Sequence, residues 1–396
     1  MTTLTATRQR IYSIDFLRGV IMIIMALDHV RDYILADSFY YDPLDLQKTS
    51  VALFFTRWIT HFCAPIFMLL AGTSAFLVGQ RKTKKELSLF LLKRGIWLVI
   101  LEMTVVNFGW GFNIAYPDIL FVTIWALGIS MIVLAGLIFL PLKWIAAFGV
   151  VLIAGHNLLD NVHVPGNTLA GFGWAVLHEQ QFFTWHDRIL LVGYPILPWP
   201  GMMALGYCLG RFYVASYDAE KRRRNLRVIG FSALALFVAL RMINVYGDPS
   251  HWSAQKNEVF TFLSFLNVTK YPPSLLYSLV TLGAALLFLA YTEKISGWFV
   301  RVVSVYGRVP MFYYLIHIYL IHLIAMLLSQ WFTNVGWHNW ILVRPIWFSP
   351  NLRGAGFTLP IVYVIWISVV IVLYPLCKRY DRYKQSHKEK WWLSYL

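Results

Sequence analysis

Ten apolar runs, each long enough to cross a hydrocarbon layer or close to it, dominate this chain of 396 residues. They fall near 12–34, 53–79, 88–108, 118–139, 143–159, 190–213, 226–245, 273–291, 306–330 and 357–377. A bilayer core of about 30 Å asks for roughly 20 predominantly apolar residues per helix, and all but the short fifth run come near or exceed that length. In hydrocarbon every backbone donor and acceptor must be satisfied within the segment, so runs of this kind become helices. The pattern therefore predicts an all-α, polytopic membrane bundle of about 10 transmembrane helices. Neither an internal repeat nor a low-complexity linker interrupts it, so residues 1–396 are expected to form a single domain. Composition agrees: the chain is 59% hydrophobic and only 13% charged, about half the charge of soluble domains. The formal charge of +15 is then better explained by basic loops at an anionic leaflet than by nucleic acid, which is excluded as a partner.

The basic residues also orient the chain. With the N-terminus cytoplasmic, 25 of the 34 lysines and arginines fall on that side, from Arg8, Arg10 and Arg18 to Lys384, Lys388 and Lys390. Nine lie opposite, among them Arg31, Arg57, Lys270, Arg344 and Arg353. This bias predicts both termini inside. Arg8 and Arg10 precede the first run as in a signal peptide, but the run carries Asp15, Arg18, Asp28 and His29 without a clear cleavage site, and a retained helix is expected. The longer opposite-side connections, about 160–189, 246–272 and 331–356, are rich in Trp, His, Asn and Pro and suit a cover over the mouth of the bundle. Tyr194 to Gly201 contains three prolines and cannot run as unbroken helix. It either lines a cavity or is a kink packed by its neighbours.

Charges inside spans are costly and mark the bundle interior. In the first run Asp15, Arg18, Met22, Met25, His29 and Asp32 fall within an arc of about 100°, one stripe along one helix face. Arg18 and His29 are then separated by about 16 Å along the axis. The bland alternative is a local Asp15–Arg18 ion pair at the membrane interface. In the second run Arg57 and His61 stand four residues apart and share a face of a regular helix. His61 and His29 reach similar depth, so with Asp28 and Arg57 they form a candidate acid/base centre. The ninth run adds Arg308, Tyr313, Tyr314, His317 and His322. Its two histidines point about 140° apart, so one is expected toward a cavity and the other toward a neighbouring helix. No histidine or carboxylate grouping of the H-x3-H or E-x-x-H kind is present, and no metal is expected. Cys63, Cys208 and Cys377 are scattered in apolar runs and read as inert. Phosphate-binding glycine loops and a nucleophile elbow are absent.

These same residues carry a resemblance. Ser13 to Gly19, Met25-Ala26-Leu27-Asp28-His29, Thr56 to Gly72, Tyr194 to Gly210, Tyr271 to Ser274 and Gly307 to His322 together resemble a bacterial membrane-protein family. That family is grouped with the catalytic domain of heparan-α-glucosaminide N-acetyltransferase, the lysosomal enzyme that moves acetyl from acetyl-CoA onto glucosamine. The likeness implies a multi-pass acyltransferase in the cytoplasmic (inner) membrane of a bacterium. Acetyl-CoA or another acyl-CoA would be the donor, and an amine or hydroxyl of a sugar or glycoconjugate outside the cytoplasm the acceptor. The lysosomal enzyme places the histidine credited with catalysis in its first luminal loop. Here the corresponding residues 36–52 hold only Asp37, Asp42 and Asp45, so the work falls to His29 or His61.

By that analogy His29 is the base, oriented by Asp28 or Asp32, and His61 a second acid/base or oxyanion donor with Arg57. Arg18 and Arg308 would hold CoA phosphates, with Tyr314 and His317 on the donor's side of the site. Lipid bilayer, acyl-CoA and a carbohydrate are the implied partners, and a homodimer is allowed. The rival reading is a transporter or flippase for a polar solute or lipid-linked sugar, which needs the buried charges but no CoA; a scaffold would leave the stripe without a purpose.

Overall fold

Why the chain folds as helices at these places is visible at their ends. The computed structural model describes residues 12–394, so Arg8 and Arg10 lie outside the described residues. The first helix, α1, spans Tyr12–Ile34, about 34 Å at 1.5 Å per residue. Next come α2 (Val51–Trp58), a 3-10 turn (Ile59–Phe62) and α3 (Cys63–Gly79), then α4 (Lys84–Leu101), a wide π turn (Glu102–Val106) and α5 (Asn107–Gly111). A capping box starts α4: the Thr83 hydroxyl accepts from the Glu86 amide and the Glu86 carboxylate accepts from the Thr83 amide. Strand β1 (Asp118–Phe121) leads into α6 (Thr123–Leu137), α7 (Leu142–Gly155) and α8 (Leu169–Leu177). Strands β2 (Gln181–Trp185) and β3 (Arg188–Val192) precede α9 (Pro198–Leu209), α10 (Ala219–Ile243) and α11 (Glu258–Leu266). The chain closes with α12 (Leu275–Thr292), α13 (Trp298–Arg308), α14 (Pro310–Phe332) and α15 (Leu359–Ser386).

Six segments are helical, long and apolar enough to cross a membrane: Val51–Gly79, Leu142–Leu159, Ala219–Ile243, Leu275–Thr292, Pro310–Phe332 and Leu359–Ser386. Charges such as Asp15, Arg18 and Asp28 keep α1 out of that set, although it is long enough. Exposed apolar side chains stud α10 (Val228, Phe231, Met242) and α15 (Val364, Ile367, Ile371). In water such faces would associate; against lipid tails they are the expected outer surface. The protein is therefore a helical membrane protein.

One expectation needs correction. Residues 118–121 and 188–192, expected within or beside spanning helices, are strands. They form a three-stranded sheet in the order β1-β3-β2, with β1 parallel and β2 antiparallel to β3. The fold is thus not purely helical. The proline-rich stretch is broken, as expected, and Tyr194 lines a cavity; Pro198 and Pro200 then occupy the first turn of α9, where a missing amide proton breaks no intrahelical bond.

Among the described residues, helices meet where both surfaces are glycine. A Cβ on Gly206 of α9 would stand 2.0 Å from the Leu69 carbonyl oxygen of α3, and one on Gly72 of α3 would stand 2.0 Å from the Met203 oxygen of α9. A Cβ on Gly307 of α13 would likewise stand 2.0 Å from the Asp15 oxygen of α1, and one on Gly19 2.1 Å from the Val303 oxygen. Lipid tails give helices no hydrophobic reason to associate, so close backbone approach and dispersion hold the bundle. The α1–α13 crossing fixes α1 at the centre, packed also against α3, α14 and α15.

Gly206→Ala is accordingly expected to destabilise the bundle by at least about 1–3 kcal/mol, the usual penalty of overpacking. Gly136→Ala, where nothing lies within 4 Å, should leave stability unchanged or slightly raise it. Thermal unfolding of the two variants in one detergent decides; equal midpoints would contradict the close-approach account.

Candidate functional site

The charged stripe of α1 runs along two cavities that share a wall. The larger, about 690 Å³, is lined from α1 by Asp28, His29, Arg31 and Asp32, and also by Arg57, Trp110, Thr123, Lys270 and Tyr314. All three long connections reach it, through Gln180 and Phe182, Lys270, and Arg344 to Arg353. The smaller, about 320 Å³, is lined by Arg18, Met22 and Met25 of α1 and by Arg94, Arg308 and Lys384. Thr123 and Tyr314 line both. Four cations thus gather at the Arg18 end, and the His29 end opens into an aromatic, mixed-charge chamber.

His29 is held by a histidine. Its Nδ1 lies 2.7 Å from Nε2 of His317 on α14, and the rings stack with centroids 4.9 Å apart. His317 Nδ1 lies 3.0 Å from the Tyr313 carbonyl oxygen, which can only accept. A neutral His317 therefore carries its proton on Nδ1 and accepts at Nε2, so that His29 donates from Nδ1. His29 Nε2 is left as the lone pair, on a ring boxed edge-on by Trp110 (5.1 Å) and Tyr314 (6.2 Å). An imidazole fixed in this way is a prepared proton acceptor.

Beside it lies a buried charge cluster. Arg31, 3% exposed, pairs with Asp28 (2.8 Å) and Asp32 (2.6 Å). Thr60 Oγ1 accepts from Arg57 Nη1 at 2.9 Å and lies 2.8 Å from Asp28 Oδ1. The Asp28 and Asp32 carboxylates thus hold arginines, and no hydrogen bond joins either to His29 among the described residues. Lys270 reaches the chamber from a loop braced by Asp248, whose carboxylate accepts from Thr269 N (2.9 Å) and Ser274 Oγ (2.6 Å).

His61 and His29, expected from the sequence as a pair, are not brought together. His61 sits in the 3-10 turn Ile59–Phe62, 1% exposed, lines neither cavity and packs on Tyr277. A 3-10 turn advances about 120° per residue, so Arg57 and His61 diverge instead of sharing a face; Arg57 alone reaches the chamber. Pro65 cannot donate to the His61 carbonyl, and Tyr277 Oη does so instead at 2.6 Å. His317 lines neither cavity but stands behind His29. His322 is held between the Gly109 and Trp340 carbonyls at 3.0 and 2.8 Å. Arg18 donates to the Gly307 carbonyl and to Ser74, and Arg308 grips Asp381 at 2.6 Å. Arg241 is a staple, donating to the Phe265, Ser250, Ser264 and Asn267 carbonyls.

The family model described as heparan-alpha-glucosaminide N-acetyltransferase, catalytic, matches residues 10–244, well over half of the chain. The chain belongs to that family. No curated protein matches it. The matched part of this acetyltransferase-family chain contains α1 and the Asp28, His29, Arg31 and Arg57 cluster, whereas Lys270, Arg308, Tyr314 and His317 lie beyond it.

Arg31 and Lys270 were legible only as basic residues on one side of the membrane. Arg31 sits three residues from Asp28 and beside Asp32, a spacing that could have marked it as their shared cation. Arg31→Met should remove that cation from two buried carboxylates and cost about 3–5 kcal/mol. Arg57→Met should cost less, since Arg57 Nη1 stands 3.9 Å from Asp28. Unfolding midpoints in detergent measure both, and equal losses would contradict this division of labour.

Proposed function

We propose that this acetyltransferase-family protein moves an acyl group, acetyl in the first instance, from acyl-CoA to a sugar amine or hydroxyl, with His29 as the base. The proposal includes about ten spans, both termini cytoplasmic and residence in a bacterial inner membrane. The observation that carries it is the shared wall: one helix face leads from four cations at one cavity, past Thr123 and Tyr314, to the free nitrogen of His29 at the other.

In this reading Arg18, Arg94, Arg308 and Lys384 attract the CoA phosphates, arginine forks being suited to phosphate oxygens. The pantetheine arm follows Met22 and Met25, and the thioester arrives between Tyr314 and His29. The acceptor enters from the larger chamber. As its nitrogen or oxygen attacks the thioester carbon, His29 Nε2 takes its proton, and the hydroxyls of Tyr314 and Thr123 face the developing oxyanion. The carbon–sulfur bond then breaks, and the imidazolium returns the proton to the CoA thiolate. His317, neutral and accepting at Nε2, supports the imidazolium much as a carboxylate supports the histidine of a hydrolytic triad. No step falls to His61. The acidic pair Asp28 and Asp32 holds Arg31 and Arg57 in the chamber wall and limits the positive charge beside His29.

His29→Ala should lower acyl transfer by about 10²–10⁴-fold, the usual worth of a general base, while acetyl-CoA still raises the unfolding temperature of the purified variant. In sealed inverted vesicles, whose outer surface is cytoplasmic, added acetyl-CoA should support transfer; right-side-out vesicles should not use it. Full activity of His29→Ala removes His29 as base. Absence of any thermal shift with acetyl-CoA favours the transporter reading, and donor use from the other face reverses the proposed orientation.

A further inference from the structure

A second histidine cluster stands apart from the two cavities. His156 ends α7 in the turn His156–Leu159, and His178 caps the C-terminus of α8. Both are 3% exposed. His178 Nε2 lies 3.1 Å from Asp160 Oδ1, and the two imidazoles meet edge to face with centroids 5.4 Å apart. One donor atom from each of His156, Asp160 and His178 falls within 4.8 Å of the other two. Nδ1 of His178 has no hydrogen-bond partner, and neither ring nitrogen of His156 has one of regular geometry, its interaction with the Pro273 backbone being a loose one.

Buried imidazole nitrogens are costly to leave unpartnered, and packing alone gives no reason for two such rings to meet over a carboxylate. A cation resolves both problems, because each ring offers a lone pair and the carboxylate supplies charge. We infer that His156, Asp160 and His178 bind a zinc-class divalent cation. Two imidazoles and one carboxylate are a donor set suited to zinc, with a fourth position for water. Bonds of about 2.0–2.1 Å in a tetrahedron place donors roughly 3.3 Å apart. The His178–Asp160 separation is already of that order, so His156 makes the larger adjustment.

The surroundings are those of a supported ligand set. Asn157 Nδ2 donates to Asp160 Oδ2 at 2.8 Å, which leaves Oδ1 to the histidines. Asn157 Oδ1 accepts from the Leu275 amide at 2.9 Å, so the cation would join the ends of α7 and α8 to the start of α12. Binding moves the His178 proton from the Nε2–Asp160 contact to Nδ1, which leaves Nε2 and Asp160 Oδ1 free to face the cation. The inference is independent of the acyl-transfer reading, since none of the three residues lines either cavity.

The test uses the full-length protein, purified in detergent, treated with EDTA and then given zinc chloride. About one zinc per chain should survive desalting and raise the unfolding temperature. Cobalt(II) should give the visible absorption of a tetrahedral site. His156→Asn and Asp160→Asn should each weaken zinc binding by about 10-fold or more. Should a variant fail to fold, zinc stoichiometry and the cobalt spectrum of the unaltered chain still decide. Retention of well under one zinc per chain, or equal retention by both folded variants, overturns the proposal.

Discussion

A hydrogen bond between two buried imidazoles, His29 Nδ1 to His317 Nε2, is the contact on which the site depends. It ties α1 to α14 and, because His317 must donate to the Tyr313 carbonyl, it decides which nitrogen of His29 carries a proton. The same contact stacks the rings and sets His29 at the junction with Tyr314, the residue common to both cavities. Without it the α1 stripe would still be charged and buried, but its histidine would have no fixed tautomer. A carboxylate is the commoner partner for a catalytic histidine. Here Asp28 and Asp32 are engaged with arginines, and in the proposed mechanism the imidazole of His317 takes that place.

That contact is possible because the bundle brings its helices close without a hydrophobic drive. Glycines at the α1–α13 and α3–α9 crossings let backbones approach within side-chain distance. Apolar side chains stand exposed on α10 and α15, as lipid-facing surfaces require. Charges, by contrast, are drawn inward to α1, where they satisfy one another. The long connections and the small sheet lie at the His29 end, and residues from all three of them line the larger chamber. A scaffold of spanning helices thus carries a polar seam, and the long connections cover one end of it.

Much of this was legible in the sequence, for physical reasons. Helix periodicity placed Arg18, Met22, Met25, His29 and Asp32 on one face, and α1 is regular over that whole length, so the stripe survives as a cavity wall. Depth arguments failed for His61 because they say nothing of direction. The 3-10 turn before Pro65 rotates it away from Arg57, and proline was the available warning. The strands at 118–121 and 188–192 read as span ends because short apolar runs do not distinguish strand from helix. The His156, Asp160, His178 group was missed because its H-x3-D spacing is closed by a residue eighteen positions further on, across a turn and a helix.

The most direct test of the account is a structure of the protein with a non-hydrolysable acetyl-CoA analogue. The account predicts its phosphates among Arg18, Arg94, Arg308 and Lys384, its arm along Met22 and Met25, and its carbonyl carbon within reach of His29 Nε2 beside Tyr314. Density with the phosphates in the larger chamber, or with the reactive carbon remote from His29, would contradict it.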